Sequence, residues 1–226
     1  MLAIINKPKL KIKYSCKQQF IFVISMYTEK MVRVSGLKIN YYDDGDGYPV
    51  LLVPGIRYNA KTWIDVGTYD TIYNEGFKVI SIDPPGQGKS DKGIYDEDSE
   101  YKFINDFMNS IGLRDAVIIG ASSGGYAAAG VGANYPEKIK GAVIIGGVRI
   151  INYKDKLKNM EGKPILLIWG TKDDIAPISN AQLILDNVKS SRLVYLGTQH
   201  ACYLEKPKEF NEIIRDYLRN EIKPII

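Results

Sequence analysis

Val117-Ile118-Ile119-Gly120-Ala121-Ser122-Ser123-Gly124-Gly125 is the stretch that decides the fold. Three aliphatic β-branched residues run into G-x-S-x-G, and the small-residue stretch Gly124–Asn134 follows. A strand buried on both faces that breaks sharply into a helix lifts a serine hydroxyl above a sheet. The turn is so tight that side chains two residues either side of the serine would collide, which explains Gly120 and Gly124. The helix points its positive end at the same place, where a developing oxyanion is stabilised. Ser122 is therefore the nucleophile candidate. Ala121-x-Ser123-x-Gly125 is a second register of the same pattern, and a plain helix cap by Ser122 is the structural alternative.

Around this unit, short β-branched runs alternate with longer amphipathic stretches, the pattern of a mostly parallel sheet covered by helices. Strands are expected at Val32–Ser35 and Leu37–Tyr42, an antiparallel pair joined near Gly36, and then at Val50–Val53, Lys78–Asp83 and Ala116–Gly120. Ala142–Ile145, Ile165–Trp169 and Leu193–Leu196 complete the set. Helices are expected over Thr62–Asn74, closed by Gly76, and over Asp98–Ile111, where Phe103, Ile104, Phe107 and Ile111 have core spacing. Further helices are Gly124–Asn134, Asn180–Val188 and Pro207–Leu218, the last with proline at a permitted first-turn position. Asp43–Gly47 reads as a turn. The fold class is α/β: an eight-stranded, mostly parallel sheet with helices on both faces. Only Val148–Lys163 separates Gly147 from the strand at Ile165, too little for a cap domain.

A serine on such a turn needs a base. His200, the only histidine, lies in Leu196-Gly197-Thr198-Gln199-His200, just after the last expected strand. An imidazole titrates near neutrality and accepts a hydroxyl proton. A carboxylate is needed to fix its tautomer. Gly170-Thr171-Lys172-Asp173-Asp174-Ile175-Ala176-Pro177 supplies Asp173 in a G-x-x-D-x-x-x-P turn, with Asp174 as the alternative. Two backbone amides should form the oxyanion hole: Ser123, next to the nucleophile, and Ile56, in the turn after Val50–Val53. Arg57 has two readings, a structural ion pair or a grip on an acidic substrate group. Gly88-Lys89-Ser90 resembles the end of a phosphate loop, but the glycine required five residues before Gly88 is Asp83.

Over about residues 31–220 these motifs together resemble the α/β-hydrolase superfamily. Asp83-Pro84-Pro85-Gly86-Gln87-Gly88-Lys89-Ser90 is similar to its D-x-x-G-x-G-x-S turn, and the order Ser, Asp, His is the one this fold uses. More narrowly, Pro54-Gly55-Ile56-Arg57 through Thr62-Trp63, and His200-Ala201-Cys202-Tyr203-Leu204-Glu205-Lys206-Pro207, resemble the small lidless CIB-type group. Pro54 departs from its usual histidine, and the glycine-rich elbow departs from its serines. The resemblance implies a serine hydrolase of the carboxylesterase kind, cleaving small acyl esters or thioesters through an acyl-enzyme, with Ser122, His200 and Asp173 as its triad. A binding or scaffold protein on the same fold, or an acyltransferase or perhydrolase using the same triad, are the alternatives.

The chain has 226 residues, 45% hydrophobic and 25% charged, which suits one domain. Its net charge of +4 is concentrated at the start: residues 1–30 carry a net +5 and the remainder −1. No basic nucleic-acid surface spans the fold. The lysine-rich opening and the apolar run Phe20–Tyr27 lack a cleavage pattern. Residues 1–30 are expected to be an extension, with the native start at Met26 or Met31, and 31–226 a single domain. Cys16 and Cys202 make no disulfide framework, and one histidine does not make a zinc site of the usual spacing. The expectation is a cytoplasmic enzyme with a small-molecule acyl substrate, no cofactor, no metal and no membrane span.

Overall fold

The computed structural model describes residues 27–93 and 99–226. Cys16, the lysine cluster before it and the possible start at Met26 lie outside the described residues, as does Asp98, the expected beginning of a helix.

Eight strands form one sheet: β1 (Glu29–Val34), β2 (Leu37–Asp44), β3 (Pro49–Val53), β4 (Lys78–Ile82), β5 (Ala116–Ala121), β6 (Ile139–Ile145), β7 (Ile165–Trp169) and β8 (Ser191–Tyr195). Their spatial order is β1-β2-β4-β3-β5-β6-β7-β8. β1 and β2 are antiparallel to their neighbours; every other pairing is parallel. Crossovers run in opposite directions on either side of β3 and β5, so the crevice at their carboxyl ends is where this architecture binds ligands.

Alternation along the central strands makes two cores. Leu51, Val53, Ile80, Ile118, Ile144 and Leu167 face one side, under α3 (Glu100–Ser110), α4 (Ser123–Asn134) and α5 (Ser179–Asn187). Val50, Leu52, Val79, Val117, Ile119 and Leu166 face the other. They are covered by α1 (Ala60–Asp65), α2 (Thr68–Asn74), the short α6 (Cys202–Glu205) and α7 (Pro207–Tyr217). Residues that read as continuous apolar runs are thus split between two helical layers.

Several boundaries differ from expectation. Thr62–Asn74 is two helices, not one. Gly67 adopts φ 79, breaking the chain between α1 and α2. Asn211 of α7 repairs the break, donating to the Val66 carbonyl at 2.9 Å and accepting from the Thr68 hydroxyl at 2.7 Å. β1 opens at Glu29, two residues ahead of the boundary expected at 31, and Glu29 pairs with Tyr42 across the sheet. Ser35 leaves the strand at φ 49 to turn the hairpin with Gly36. β6 starts at Ile139, three residues before the expected start at Ala142. Gly141, within it, has no side chain to add to the strand signal, and a Cβ there would meet the Tyr217 hydroxyl at 2.4 Å.

The segment between β6 and β7 forms a 3-10 helix over Ile150–Met160. Ile150, Tyr153, Leu157 and Met160 are buried, and small residues of α4 let it lie close. A Cβ on Gly130 would meet the Tyr153 hydroxyl at 2.5 Å, and one on Gly132 the Met160 sulfur at 2.5 Å. It is packing for α4, and among the described residues no separate cap domain stands over the sheet.

Candidate active site

β5 ends at Ala121, and Ser122 turns directly into α4 with φ 54 and ψ −113. Holding a serine there costs on the order of 1–3 kcal/mol. The two glycines make it feasible. A Cβ on Gly120 would lie 2.1 Å from the Gly124 carbonyl oxygen, and one on Gly124 would lie 2.2 Å from that of Val53. The Ser122 amide donates to the Ile145 carbonyl at 2.8 Å, anchoring the turn beside the end of β6. Its side chain makes no capping bond to α4. The cap alternative therefore has no contact behind it. Ser123, the competing register, is buried at the first position of α4, while Ser122 is partly open.

His200 follows β8 and Asp173 follows β7. His200 Nδ1 lies 2.8 Å and 3.0 Å from the two carboxylate oxygens of Asp173. The Asp173 side chain is 1% exposed and the imidazole 15%. One carboxylate oxygen also accepts from the amides of Ile175 (3.0 Å) and Ala176 (2.8 Å), which fix its direction. Asp174 is exposed and is not the imidazole's partner. The loops meet because Gly170 has no side chain: a Cβ there would sit 2.1 Å from the Gln199 carbonyl oxygen.

Gly146 joins the two halves. It directly follows Ile145, the residue that anchors Ser122, and a Cβ on it would lie 3.0 Å from the imidazole and 3.2 Å from Asp173 Oδ2. Serine, imidazole and carboxylate thus gather at consecutive residues at the end of β6. Ser122 and His200 share no hydrogen bond in this arrangement; such bonds are often long before substrate arrives.

Glu205 escaped the sequence reading. Its carboxylate accepts from the amides of Thr198 (2.7 Å) and Gln199 (2.9 Å), clamping the loop that carries His200. Those amide bonds hold the carboxyl below its ordinary range. The signal was its spacing, five residues past the histidine, where a side chain folds back on its own loop.

On the opposite wall, the Ile56 amide points into the site but donates at 2.8 Å to the Ser123 hydroxyl. The expected oxyanion donor is engaged by the neighbour of the nucleophile. The turn is positioned by Asp83, which is 3% exposed. Its carboxylate accepts from the Ala60 amide (2.7 Å), the Lys89 amide (2.9 Å) and Asn40 Nδ2 (2.9 Å). A Cβ on Gly88 would collide with that carboxylate at 2.1 Å. The D-x-x-G-x-G-x-S stretch is scaffolding. With its amide oriented to satisfy its neighbours, Gln87 donates to the Gly55 carbonyl at 3.3 Å and to that of Tyr58.

A half-open hollow of about 550 Å³ lies along this wall, reaching Ile56, Arg57, Gln87, Ser123 and Arg149. A smaller one of about 370 Å³ is lined by Lys30, Tyr41 and Leu113 among others, and neither hollow is lined by Ser122, Asp173 or His200. Among the described residues no group of His, Cys, Asp and Glu side chains is arranged to hold a metal ion, and no helix is long and apolar enough to cross a membrane.

A serine on a strained strand-to-helix turn, with a carboxylate-bonded imidazole delivered after the last strand, defines a class. The chain has the α/β-hydrolase fold and is similar to members of that superfamily. A family profile described as the alpha/beta hydrolase fold matches residues 48–157. Its relatives include ABHD14B of Rattus norvegicus, named as a candidate protein-lysine deacylase, 27% identical over 178 residues, covering 76% of this chain and 83% of that protein. Protein ABHD14A of Danio rerio is 24% identical over 171 residues, 75% of this chain; the match spans only 63% of that protein's length. The crystal structure of a predicted CIB-like hydrolase from Thermoplasma acidophilum superposes with a TM-score of 0.80 at 27% identity, covering 86% of this chain and 99% of the other.

Proposed function

We propose that the chain is a carboxylesterase-like serine hydrolase that cleaves small acyl esters or thioesters. The observation behind this is the buried Asp173–His200 pair brought beside Ser122 at the end of β6. Ser122 Oγ attacks the acyl carbon while His200 Nε2 takes its proton; Asp173 holds Nδ1 and stabilises the imidazolium. The tetrahedral oxygen accepts from the amides of Ser123 and Ile56, the latter turning from the Ser123 hydroxyl to the substrate. His200 then protonates the leaving group, and water, deprotonated by the same imidazole, releases the acid.

With no cap domain over the sheet among the described residues, the site suits short acyl chains, or an acyl group carried by a larger molecule. The name of the ABHD14B relative concerns removal of an acyl group from lysine, and the chemistry proposed here would also act on an acyl group. Cys202 is free, and burial pushes its thiol up to about 12, consistent with an inert cysteine in the cytoplasm.

The test is hydrolysis of p-nitrophenyl esters of graded length, with labelling by a fluorophosphonate. Labelling of Ser122, and loss of about 10³-fold or more in kcat for Ser122→Ala, are expected. Full activity in that variant would sink the reading, and absent labelling would favour a binding protein.

A further inference from the structure

We propose that Arg57 is an anion handle, so that the substrate of this site carries a carboxylate or phosphate bound in the hollow beside the oxyanion turn. The proposal rests on the serine-hydrolase reading and names its substrate class. The hollow of about 550 Å³ is bounded by Ile56 and Ser123, the two residues assigned to the oxyanion hole. It reaches the proposed reacting centre through these two residues, and Ser122, His200 and Asp173 are not among its lining.

Two guanidiniums line it, in different states. Arg149 is committed: its Nη2 lies 3.0 Å from Glu100 Oε1, and its guanidinium carbon lies 4.5 Å from the centre of the Tyr126 ring. Arg57 is exposed, and its side chain makes no ion pair or hydrogen bond with any described residue. The structural-ion-pair reading of Arg57 therefore has no partner among them. Its backbone is not loose. Arg57 sits at φ 75 in a turn closed by the Tyr58 amide donating to the Gly55 carbonyl at 3.1 Å, with Gln87 bonded to the same turn. A fixed backbone thus presents an uncommitted cation.

The charge balance agrees. Among the described residues of the lining, Arg57, Arg149 and Glu100 are charged, two cations and one anion. Residues 31–226 as a whole carry −1, so this is a local feature and not part of a basic surface. A planar guanidinium matches carboxylate and phosphate oxygens in a fork that a neutral acyl chain does not engage.

The first measurement compares p-nitrophenyl hemiglutarate with p-nitrophenyl pentanoate on the full chain. The hemiglutarate-to-pentanoate ratio of kcat/KM is expected to be about tenfold, to fall toward one in Arg57→Gln, to be partly kept in Arg57→Lys, and to shrink with added salt. The second titrates glutarate, uncharged pentanamide and inorganic phosphate calorimetrically into Ser122→Ala, with and without Arg57→Gln. Glutarate or phosphate should bind about tenfold tighter than pentanamide only when Arg57 is present. Whichever anion shows the larger difference identifies the headgroup. A ratio near one in the unmodified chain, or anion affinity indifferent to Arg57, overturns the proposal. Turnover that survives Ser122→Ala overturns the hydrolase reading instead, and the titration still decides the role of Arg57.

Discussion

On one side of Ser122, Asp173 and His200 are held by contacts a few bonds long; on the other, the turn Gly55–Asn59 is held from a distance by Asp83. The first wall is closed. Its carboxylate is 1% exposed, its amide donors lie two and three residues away in the chain, and glycines at 146 and 170 admit nothing larger. The second wall is open. Ile56 is 66% exposed and Arg57 projects outward, while only the backbone is pinned, by Asp83 and Gln87. A proton relay tolerates little displacement, since about 1 Å costs on the order of 100-fold in rate. A substrate-facing wall needs a fixed backbone with side chains free to meet a ligand. On the proposed function, the difference separates the part that would set the chemistry from the part that would select what undergoes it.

The comparison is most sharply tested on the closed wall. Asp173→Asn keeps an oxygen for the Ile175 and Ala176 amides but no longer enforces the imidazole tautomer. We expect kcat to fall roughly 10³- to 10⁴-fold with the melting temperature nearly unchanged. A loss under tenfold on a chromogenic ester would move the acid elsewhere, with Asp174 the next to replace.

Asp83→Ala attacks the support of the open wall. It leaves the Ala60 and Lys89 amides and Asn40 Nδ2 without their acceptor, at about 3 kcal/mol. Calorimetry should show a melting temperature lowered by roughly 6–12 °C. An unchanged transition would mean that the turn has another support.

Glu205→Gln weakens the clamp on the histidine loop, and kcat/KM should fall about threefold to tenfold. Because the Glu205 carboxyl is held below the ordinary value of 4.5, its hold on the loop is fully present above that value and is lost as pH falls through the lowered one. Protection of the Thr198 and Gln199 amides from hydrogen exchange should accordingly persist at pH about 4.5 in the unmodified chain. It should be weak at every pH in the variant.

The smallest effect belongs to Ser123→Ala. Removing the hydroxyl frees the Ile56 amide, and kcat/KM should stay within about threefold of the unmodified chain. A loss beyond tenfold would instead make the Ser123 hydroxyl a third donor to the oxyanion.

The parts of the site that were legible in the sequence are those whose reason is local. Gly120 and Gly124 flank Ser122 because adjacent turns of backbone collide, and that constraint is written within five residues. His200 and Asp173 were legible because each follows a strand by a short loop, so the strand pattern alone delivers them to one edge. The break at Gly67 was hidden, because the apolar spacing continues across it and its repair comes from Asn211, far along the chain. Glu205 was hidden for a similar reason, since a charged residue on a short helix looks like surface until its oxygens are seen on two amides.

The sequence by itself determined the α/β architecture and nominated the elbow and three polar side chains around it, because periodicity, turn sterics and chain order are properties of neighbouring residues. Only the tertiary structure set Asp173, not Asp174, against the imidazole, engaged the Ile56 amide with Ser123, and left Arg57 without a partner among the described residues. Those outcomes depend on which atoms from distant segments come within about 3 Å, the range over which a hydrogen bond forms.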